Sequence, residues 1–565
     1  MEKLNLLIKK YGIIVFMSFL LLITALLFIK IDNNYGDQPF AILIKTNKNN
    51  QFIELYKDET DDTYFMFLPS YANNKNTKLR LLTTYPVYLD DMRLKEGMKL
   101  DELILDHEYS LKVNGKQIGN VTFMQSSNIP SVFIATSKRD LSFLKEDKNN
   151  IDEGTISFID ADGNIEYSGD LDSISGRGNQ SWTFDKRGWS LRLFKEVPLF
   201  GMRSSYRWNL IANVCDDTVG LRNKAAHYLA EKLDMEYVSK QQFVDLYIDS
   251  LYYGTYQLVE KIEEKEDKLD IGDLDTRNYL ANGFILDTDL LERYTEYYDE
   301  LPYRSYSIGV SSPDDISGGY IIERNNGFKL KDKEHLFTTS RNEPFIVRYP
   351  SVVNEEELDY INDAVQTVED ALFAEDYIDQ KTSKGIWELA DMDSVVKKFL
   401  VDEFSKNEGA GVTSSYFYKK QGDDKLYGGP LWDFDKSFGN CGVWKDYEGL
   451  SLGKLFVNPI TYWYERLYEN KEANDLIKEY YSDIIKPVCK EITETMIDQW
   501  SKEIKDSYKM NKARWKYITN ADPDFYDNLD VLYHFDEEEA KQYLKSWINN
   551  RITYLDGIWE NGEVQ

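Results

Sequence analysis

Residues 428–440 of this chain read Gly-Gly-Pro-Leu-Trp-Asp-Phe-Asp-Lys-Ser-Phe-Gly-Asn. The spacing predicts a turn, then a short apolar strand that carries two carboxylates, then a second turn. Side chains alternate between the two faces of a strand, so Asp433 and Asp435 would point to the same side. Two such carboxylates repel each other unless a proton or a cation lies between them. The stretch is therefore a candidate Mg²⁺ or Mn²⁺ site, and a solvent-capped acidic turn is the alternative.

The composition restricts the classes of function that are open to this chain. It has 565 residues, a net charge of −31 and an isoelectric point near 4.7. This length exceeds one compact core and predicts several units. The acidity argues against binding of nucleic acid or of an anionic membrane surface, because both need basic patches. The three cysteines and four histidines show no zinc-ligand spacing, so we expect any bound metal to have oxygen ligands.

The N-terminus predicts attachment to a membrane. An uncharged, mainly apolar run covers residues 13–29, follows several lysines and ends at Lys30. A run of about 17 residues is at the lower limit for crossing a bilayer. The preceding positive charges predict a cytoplasmic N-terminus at residues 1–12. No small-x-small cleavage site follows, which favours an uncleaved signal anchor at residues 13–30 over a cleaved signal peptide. We therefore expect a single-pass cell-membrane protein with an extracytoplasmic bulk, and the few cysteines indicate a bacterial surface.

Two further units are expected after the anchor. Residues 31–130 alternate short apolar runs with turn residues, which predicts a small all-β domain without catalytic groups. In residues 131–565, strand candidates continue to Glu260, and residues 160–164 are predicted to be a hairpin turn rather than half of a calcium loop. A largely helical part is expected after Glu260. The helix candidates are residues 219–233, 355–375, 391–407, 471–504 with an interruption near Pro487, and 536–559.

A second group of candidate site residues lies in the β-rich part. Two glycines flank Arg177 and allow the backbone to approach an anion closely. Lys186 and Arg187 follow at the start of the next predicted strand. A glycine-rich loop followed by a strand with cations is an arrangement that binds phosphate. Arg222, on the first turns of a predicted helix, either reaches a phosphate or carboxylate or is an ordinary surface charge.

These motifs together resemble the CotH family, the atypical protein kinases related to spore coat protein H. The resemblance extends from about residue 132 to residue 559, and residues 31–130 lie outside it. It implies an α+β fold of the divergent protein-kinase-like, bilobal type, with a β-rich N-lobe and a helical C-lobe. The all-β domain and the transmembrane helix would precede these lobes. The motifs that carry the resemblance lie at residues 176–182, 186–187, 198–202, 208–213, 222–223, 254–261, 318–320 and 432–439.

The resemblance also implies an activity. Family members use ATP and a divalent metal to phosphorylate Ser or Thr of surface or coat proteins. Phosphoryl transfer needs cations on the phosphates, carboxylates on the metal and a group that positions the acceptor hydroxyl. The implied site residues are Arg177, Lys186, Arg187, Arg222 and Glu260 for the nucleotide, Glu408, Asp433 and Asp435 for catalysis, and Asp433, Asp435 and Asn407 for Mg²⁺ or Mn²⁺.

One segment departs from the family pattern. Similar sequences often carry a candidate catalytic Asp one or two residues after a Lys-Asn pair. Here Asn407 is followed by Glu408 and Gly409, and Gly409 falls on the Asp position. Glu408 is the candidate replacement, and Asn407 is either a metal ligand or a helix C-cap. A misplacement of about 1 Å can slow a reaction about 10²-fold. The alternatives are therefore a pseudokinase that acts as a surface binding or structural module, or another ATP-dependent transferase on the same scaffold.

Overall fold

The structure is a computed structural model. It describes residues 38–46, 50–58, 60–179, 181–283, 286, 291–298, 301–325, 334–411, 413–440, 446–450, 462–516 and 536–562. The anchor predicted at residues 13–30 lies outside these ranges. Within them, no helix is both long enough and apolar enough to cross a membrane.

The first part of the described chain is β-rich, as predicted. Its nine strands are β1 (Phe40–Lys45), β2 (Asn50–Glu54), β3 (Tyr56–Lys57), β4 (Thr63–Leu68), β5 (Thr77–Leu81), β6 (Val87–Leu89), β7 (Met92–Arg93), β8 (Glu108–Val113) and β9 (Lys116–Gln125). They form a three-stranded sheet in the order β2-β1-β5 and a six-stranded sheet in the order β3-β4-β9-β8-β6-β7. Phe40, Ile42 and Ile44 alternate along β1 into a shared core, as the period of a strand requires.

Seven strands from the next part close into a barrel. They are β10 (Ser131–Thr136), β11 (Ile151–Ile159), β12 (Ile165–Arg177), β13 (Gly188–Val197), β14 (Ser205–Ile211), β15 (Gln241–Ile248) and β16 (Leu251–Glu260). Their order is β10-β11-β12-β13-β14-β16-β15, and β15 closes the barrel by pairing in parallel with β10. Trp189, Trp208 and Tyr256 are fully buried in the core of the barrel. The predicted hairpin turn between β11 and β12 is confirmed, since Asp160 accepts hydrogen bonds from the N–H groups of Asp162 and Asn164.

The first β unit packs directly on the barrel. The ring of Phe67 lies 4.6 Å from the ring of Tyr252. The fully buried Asp245 on β15 accepts hydrogen bonds from three hydroxyls. They belong to Ser126 at the end of the first β unit, to Thr255 on the barrel strand β16 and to Ser507 in the last part of the chain. Since a buried carboxylate is costly unless it is hydrogen-bonded, this network favours one fixed arrangement of these parts.

The chain after Glu260 contains the predicted helices and also an eight-stranded sheet. The eight strands are β17 (Arg293–Tyr298), β18 (Leu301–Ser307), β19 (Tyr320–Arg324), β20 (Leu336–Thr338), β21 (Pro344–Tyr349), β22 (Ala390–Asp391), β23 (Ser415–Lys419) and β24 (Leu426–Gly428). Their order is β17-β18-β20-β21-β19-β23-β24-β22. The expectation of a largely helical part was incomplete, because strands of two to seven residues show too few alternations to reveal their period. The fold is α+β, as predicted.

The helices surround the larger core of the molecule. They are α1 (Leu141–Glu146), α2 (Leu221–Lys232), α3 (Leu274–Ala281), α4 (Glu355–Phe373), α5 (Ile386–Leu389), α6 (Met392–Ser405), α7 (Tyr462–Glu469), α8 (Lys471–Tyr480), α9 (Lys486–Glu491), α10 (Ile497–Arg514) and α11 (Glu537–Leu555). One hydrophobic core joins the eight-stranded sheet to residues of α2, α4, α6, α10 and α11. This core includes Phe434 of the acidic motif.

Pro487 does not end the long C-terminal helix that begins with α8. Two π-helical turns, Tyr481–Ile485 and Ile492–Met496, connect α8, α9 and α10 into one helical run that continues to Arg514. Proline lacks an N–H donor and crowds the preceding turn, and the wider π turn before Lys486 accommodates it. The predicted interruption is thus a local change of helix type.

Candidate functional site

The acidic motif is a turn and not a strand. Strand β24 ends at Gly428, and Asp433 has a φ of +69° in the left-handed region. Such a residue breaks the alternation of a strand, so the reason that we gave for placing Asp433 and Asp435 on one side was wrong. Phe434, between the two carboxylates, is fully buried and fixes the turn to the core. Asp433 is exposed, whereas Asp435 is half-buried.

Asp435 lies where several charges converge. Burial raises its pKa above the ordinary range of a carboxyl, and the negative charge of Asp433 adds to this effect. The positive charge of Lys436 opposes the rise, whereas Asp216 and Glu408 contribute to it. Four carboxylates from three distant segments therefore influence one another at this point. A bound cation would relieve their repulsion.

Two buried asparagines hold the acidic turn against the segment before α2. The Oδ1 atom of Asn223 accepts a hydrogen bond from the N–H of Phe434 at 2.7 Å. The Nδ2 atom of Asn440 donates to the carbonyl of Asp435 at 2.7 Å and also to the carbonyl of Cys215. Sequence reasoning missed Asn440, because an asparagine after a glycine reads as a turn residue. These contacts set the position of Asp435.

We predict that Asn223→Ala lowers the free energy of unfolding by about 1–3 kcal/mol, because it leaves the buried N–H of Phe434 without an acceptor. Urea unfolding measures this loss. Asn149→Ala, which makes the same change at an exposed position, is the control and should leave the stability within about 0.5 kcal/mol of the wild type. Equal stability of the two variants would contradict the positioning role of Asn223.

The structure brings Arg177 to the acidic turn. Arg177 ends β12, and its guanidinium lies 5.7 Å from the ring centre of Trp432. Burial lowers its pKa, whereas the charges of Asp433 and Asp435 favour its cationic form. An arginine stays protonated in proteins. The Gly-Arg-Gly loop and the Asp-Phe-Asp motif, which are far apart in the chain, therefore face each other with opposite charges.

Lys186 and Arg187 are held by the barrel. The Nζ atom of Lys186 donates to the carbonyls of Ala212 at 2.8 Å and Thr255 at 2.6 Å, and the side chain is only 1% exposed. Burial lowers the pKa of Lys186 to about 7. Arg187 donates to two backbone carbonyls and lies 4.5 Å from the ring centre of Trp182. These contacts give no support to the phosphate-binding role that the sequence suggested for the two residues.

Arg222 is an internal cation. It is fully buried and donates from Nη1 to the carboxylates of Asp216 and Asp217. The interpretation of Arg222 as an ordinary surface charge is therefore wrong. The sequence also suggested a phosphate or a carboxylate as its partner, and the structure shows carboxylates. Gly220 is the N-cap of α2. Asp216 accepts hydrogen bonds from the N–H groups of Thr218 and Gly220.

The carboxylate of Glu260 is also engaged within the barrel. It is fully buried and accepts from the backbone N–H of Arg203 at 2.7 Å, from the Arg203 guanidinium at 2.8 Å and from the N–H of Lys240 at 3.3 Å. A carboxylate with three donors is satisfied. These bonds give no support to the nucleotide-binding role that the resemblance implied for Glu260.

Glu408 and Asn407 have different surroundings. The carboxylate of Glu408 lies 3.1 Å from Nζ of Lys436, at the edge of the acidic turn. Asn407 is buried, accepts from the N–H of Gly409 at 3.0 Å and donates to Asp402 at 3.2 Å. Lys406, and not Asn407, is the C-cap of α6, so the C-cap interpretation of Asn407 is wrong. Its role as a metal ligand stays a prediction. Over the part of the chain that the structure describes, no three His, Cys, Asp or Glu residues are arranged to hold a metal.

Comparison with known proteins identifies the family of the chain. No curated protein gives a significant match to the chain. Residues 174–555, more than half of the chain, match the family model described as CotH kinase protein. The matched range includes the Gly-Arg-Gly loop, the α2 segment and the acidic turn that the structure brings together. The chain therefore belongs to the CotH kinase family.

Proposed function

We propose that this protein is a membrane-anchored, extracytoplasmic kinase that transfers the γ-phosphoryl group of ATP to Ser or Thr of a surface or coat protein. The family assignment supports a kinase-like activity. The observation that carries the proposal is the approach of Arg177 to the acidic turn, where its guanidinium lies 5.7 Å from the ring centre of Trp432 and the charges of Asp433 and Asp435 favour its cationic form. A cation beside two carboxylates is the set of charges that phosphoryl transfer requires for its phosphates and its metal.

The two aspartates fit a nucleotide-bound metal better than a metal held by protein alone. Mg²⁺ usually binds through one or two carboxylates together with substrate phosphates and water. Asp433 and Asp435 would supply these carboxylates. Burial and the charge of Asp433 raise the pKa of Asp435, and a cation bound there would favour its charged form. The amide oxygen of Asn407 already accepts one hydrogen bond, from Gly409, and its second lone pair could contribute to this set. When bound, the metal would neutralise charge on the phosphates.

Glu408 is the residue that we propose to receive the proton of the acceptor hydroxyl. It lies close enough to Asp435 to influence its pKa, and Lys436 holds its carboxylate at 3.1 Å. Such a pair orients the carboxylate but also occupies it with another partner. That competing contact, together with Gly409 at the position of the family Asp, favours a pseudokinase as the second candidate function.

Thermal unfolding of the full-length protein in detergent tests the nucleotide part of the proposal. A ligand that binds only the folded state stabilises it, by about 2.7 kcal/mol at 100 times its Kd. We expect millimolar ATP with Mg²⁺ or Mn²⁺ to raise the melting temperature by about 2–5 °C. ATP with a chelator is the control and should give a much smaller rise. An unchanged melting temperature with metal and ATP would contradict the proposal.

A further inference from the structure

Three cationic side chains, on strands of the barrel or directly after one, lack a direct partner among the described residues. No ion pair or hydrogen bond joins the head groups of Arg177, Arg207 or Lys261 to any residue that the structure describes. Of the three, Arg177 is the one that contacts the acidic turn. The chain has 98 acidic and 67 basic residues, so cations should find carboxylates easily. The carboxylates of Glu260 and Glu263, which lie nearest to Lys261 in sequence, have other partners. Glu260 accepts from Arg203 at 2.8 Å, and Glu263 is paired with Lys268 and accepts from Ser205 at 2.7 Å.

The strand register places two of these cations side by side. On β14 and β16, Trp208 pairs with Glu260, so the next position brings Arg207 beside Lys261. Arg207 also pairs with Arg192 on β13, which forms an ion pair with Asp172. Like charges at opposed positions of a sheet destabilise it. An arrangement of this kind is typical of a site whose ligand is an anion.

Arg177 links this pair to the acidic turn. Lys261 reaches the surface, yet the surrounding protein lowers its pKa to about 8. The positive charges of Arg207, Arg348 and Arg177 lower this pKa further, and the negative charge of Glu263 opposes them. Arg177 is the member of this group that also interacts with Asp433 and Asp435. The basic group therefore extends from the acidic turn across the barrel surface.

Carboxylates limit the extent of the basic group. Arg348 is already paired, with Glu323 at 2.5 Å and Glu334 at 2.8 Å. Glu323 in turn accepts from the N–H of Ser414, whose hydroxyl lies 3.3 Å from the carboxylate of Asp433. An extended acidic peptide would meet these negative charges. A compact polyanion beside a metal would not.

We propose that Arg177, Arg207 and Lys261 bind the phosphate chain of the nucleotide. This inference rests on the proposed function and moves the phosphate-binding role away from Lys186 and Arg187. Charge-assisted hydrogen bonds to phosphate oxygens would supply the partners that the three head groups lack. Arg207 and Lys261 would then contribute to the affinity for ATP without contacting the acidic turn.

Calorimetric titration of the full-length protein tests this assignment. The probes are ATP with Mg²⁺, inorganic tripolyphosphate with Mg²⁺, and adenosine. We expect Lys261→Gln and Arg207→Gln each to weaken ATP and tripolyphosphate about tenfold, since each removes one charged contact, and to leave adenosine unchanged. Lys116→Gln, which removes an exposed charge from β9 in the first β unit, should bind all three probes as the wild type does.

The outcomes separate this inference from the proposed function. If the wild type binds ATP and both variants bind it equally well, the phosphate assignment is wrong and the kinase proposal stands. If the wild type binds no ATP in the presence of Mg²⁺, the proposed function and this inference both fail. Loss of adenosine binding in the variants would show damage to the fold and would overturn the assignment. Loss of binding to a polyglutamate peptide, with ATP unaffected, would overturn it in favour of an acidic protein ligand.

Discussion

Asp435→Asn is expected to slow phosphoryl transfer about 10²–10³-fold and to remove most of the Mg²⁺-dependent gain in melting temperature with ATP. The substitution keeps the size of the side chain but removes the charge at the point where Asp433, Asp216 and Glu408 already crowd one another. The variant relieves repulsion in the free protein, so it should fold at least as well as the wild type. A loss of activity without a loss of stability separates a metal-binding role from a structural one.

The control for this prediction is Asp162→Asn. Asp162 lies exposed in the hairpin turn between β11 and β12, and the substitution makes the same chemical change there. Transfer rates are measured by incorporation of radiolabel from the γ position of ATP, and stabilities by thermal unfolding. If Asp435→Asn and Asp162→Asn transfer phosphate at the same rate, the acidic turn is not the metal site.

Arg222→Met is expected to lower the free energy of unfolding by about 3–5 kcal/mol, the typical cost of removing one partner from a buried ion pair. Asp216 and Asp217 are 3% and 4% exposed, and the substitution would leave both without their cation. Burial already raises the pKa of Asp217 against the opposing charge of Arg222. Urea unfolding measures the loss.

Two comparison variants sharpen this prediction. Arg80→Met breaks a pair with Glu96 whose side chains are 45% and 54% exposed, so it should cost less than about 1 kcal/mol. The triple variant Arg222→Met, Asp216→Asn, Asp217→Asn removes all three charges and should recover most of the lost stability. If Arg222→Met costs no more than Arg80→Met, the buried pairs do not stabilise the segment before α2.

The sequence predicted the long helices well because each repeats its period several times. Helices α4 and α11 have nineteen residues each. Most of the eight-stranded sheet escaped prediction, since strands such as β20, β22 and β24 have only two or three residues. Neighbouring strands in space, and not their own residues, make such short segments extended.

The candidate site was predictable in its residue types and less so in its geometry. Asp433 and Asp435 do lie together, but through a left-handed turn that no alternation rule reveals. Lys186 precedes β13 and turns inward, and nothing in a Gly-rich loop followed by a cation tells which way the side chain points. The closeness of Arg207 and Lys261 depends on the pairing of β14 with β16, which joins residues distant in sequence.

The most direct test of the kinase proposal is transfer of the γ-phosphate by the full-length wild-type protein. The protein is incubated with γ-labelled ATP, Mg²⁺ and an unstructured acceptor protein, and labelled residues are identified after hydrolysis. We predict Mg²⁺-dependent label on Ser or Thr, strongly reduced in Glu408→Gln and nearly absent in Asp435→Asn. Binding of Mg²⁺ and ATP without any label on Ser or Thr would contradict the kinase proposal and establish the pseudokinase alternative.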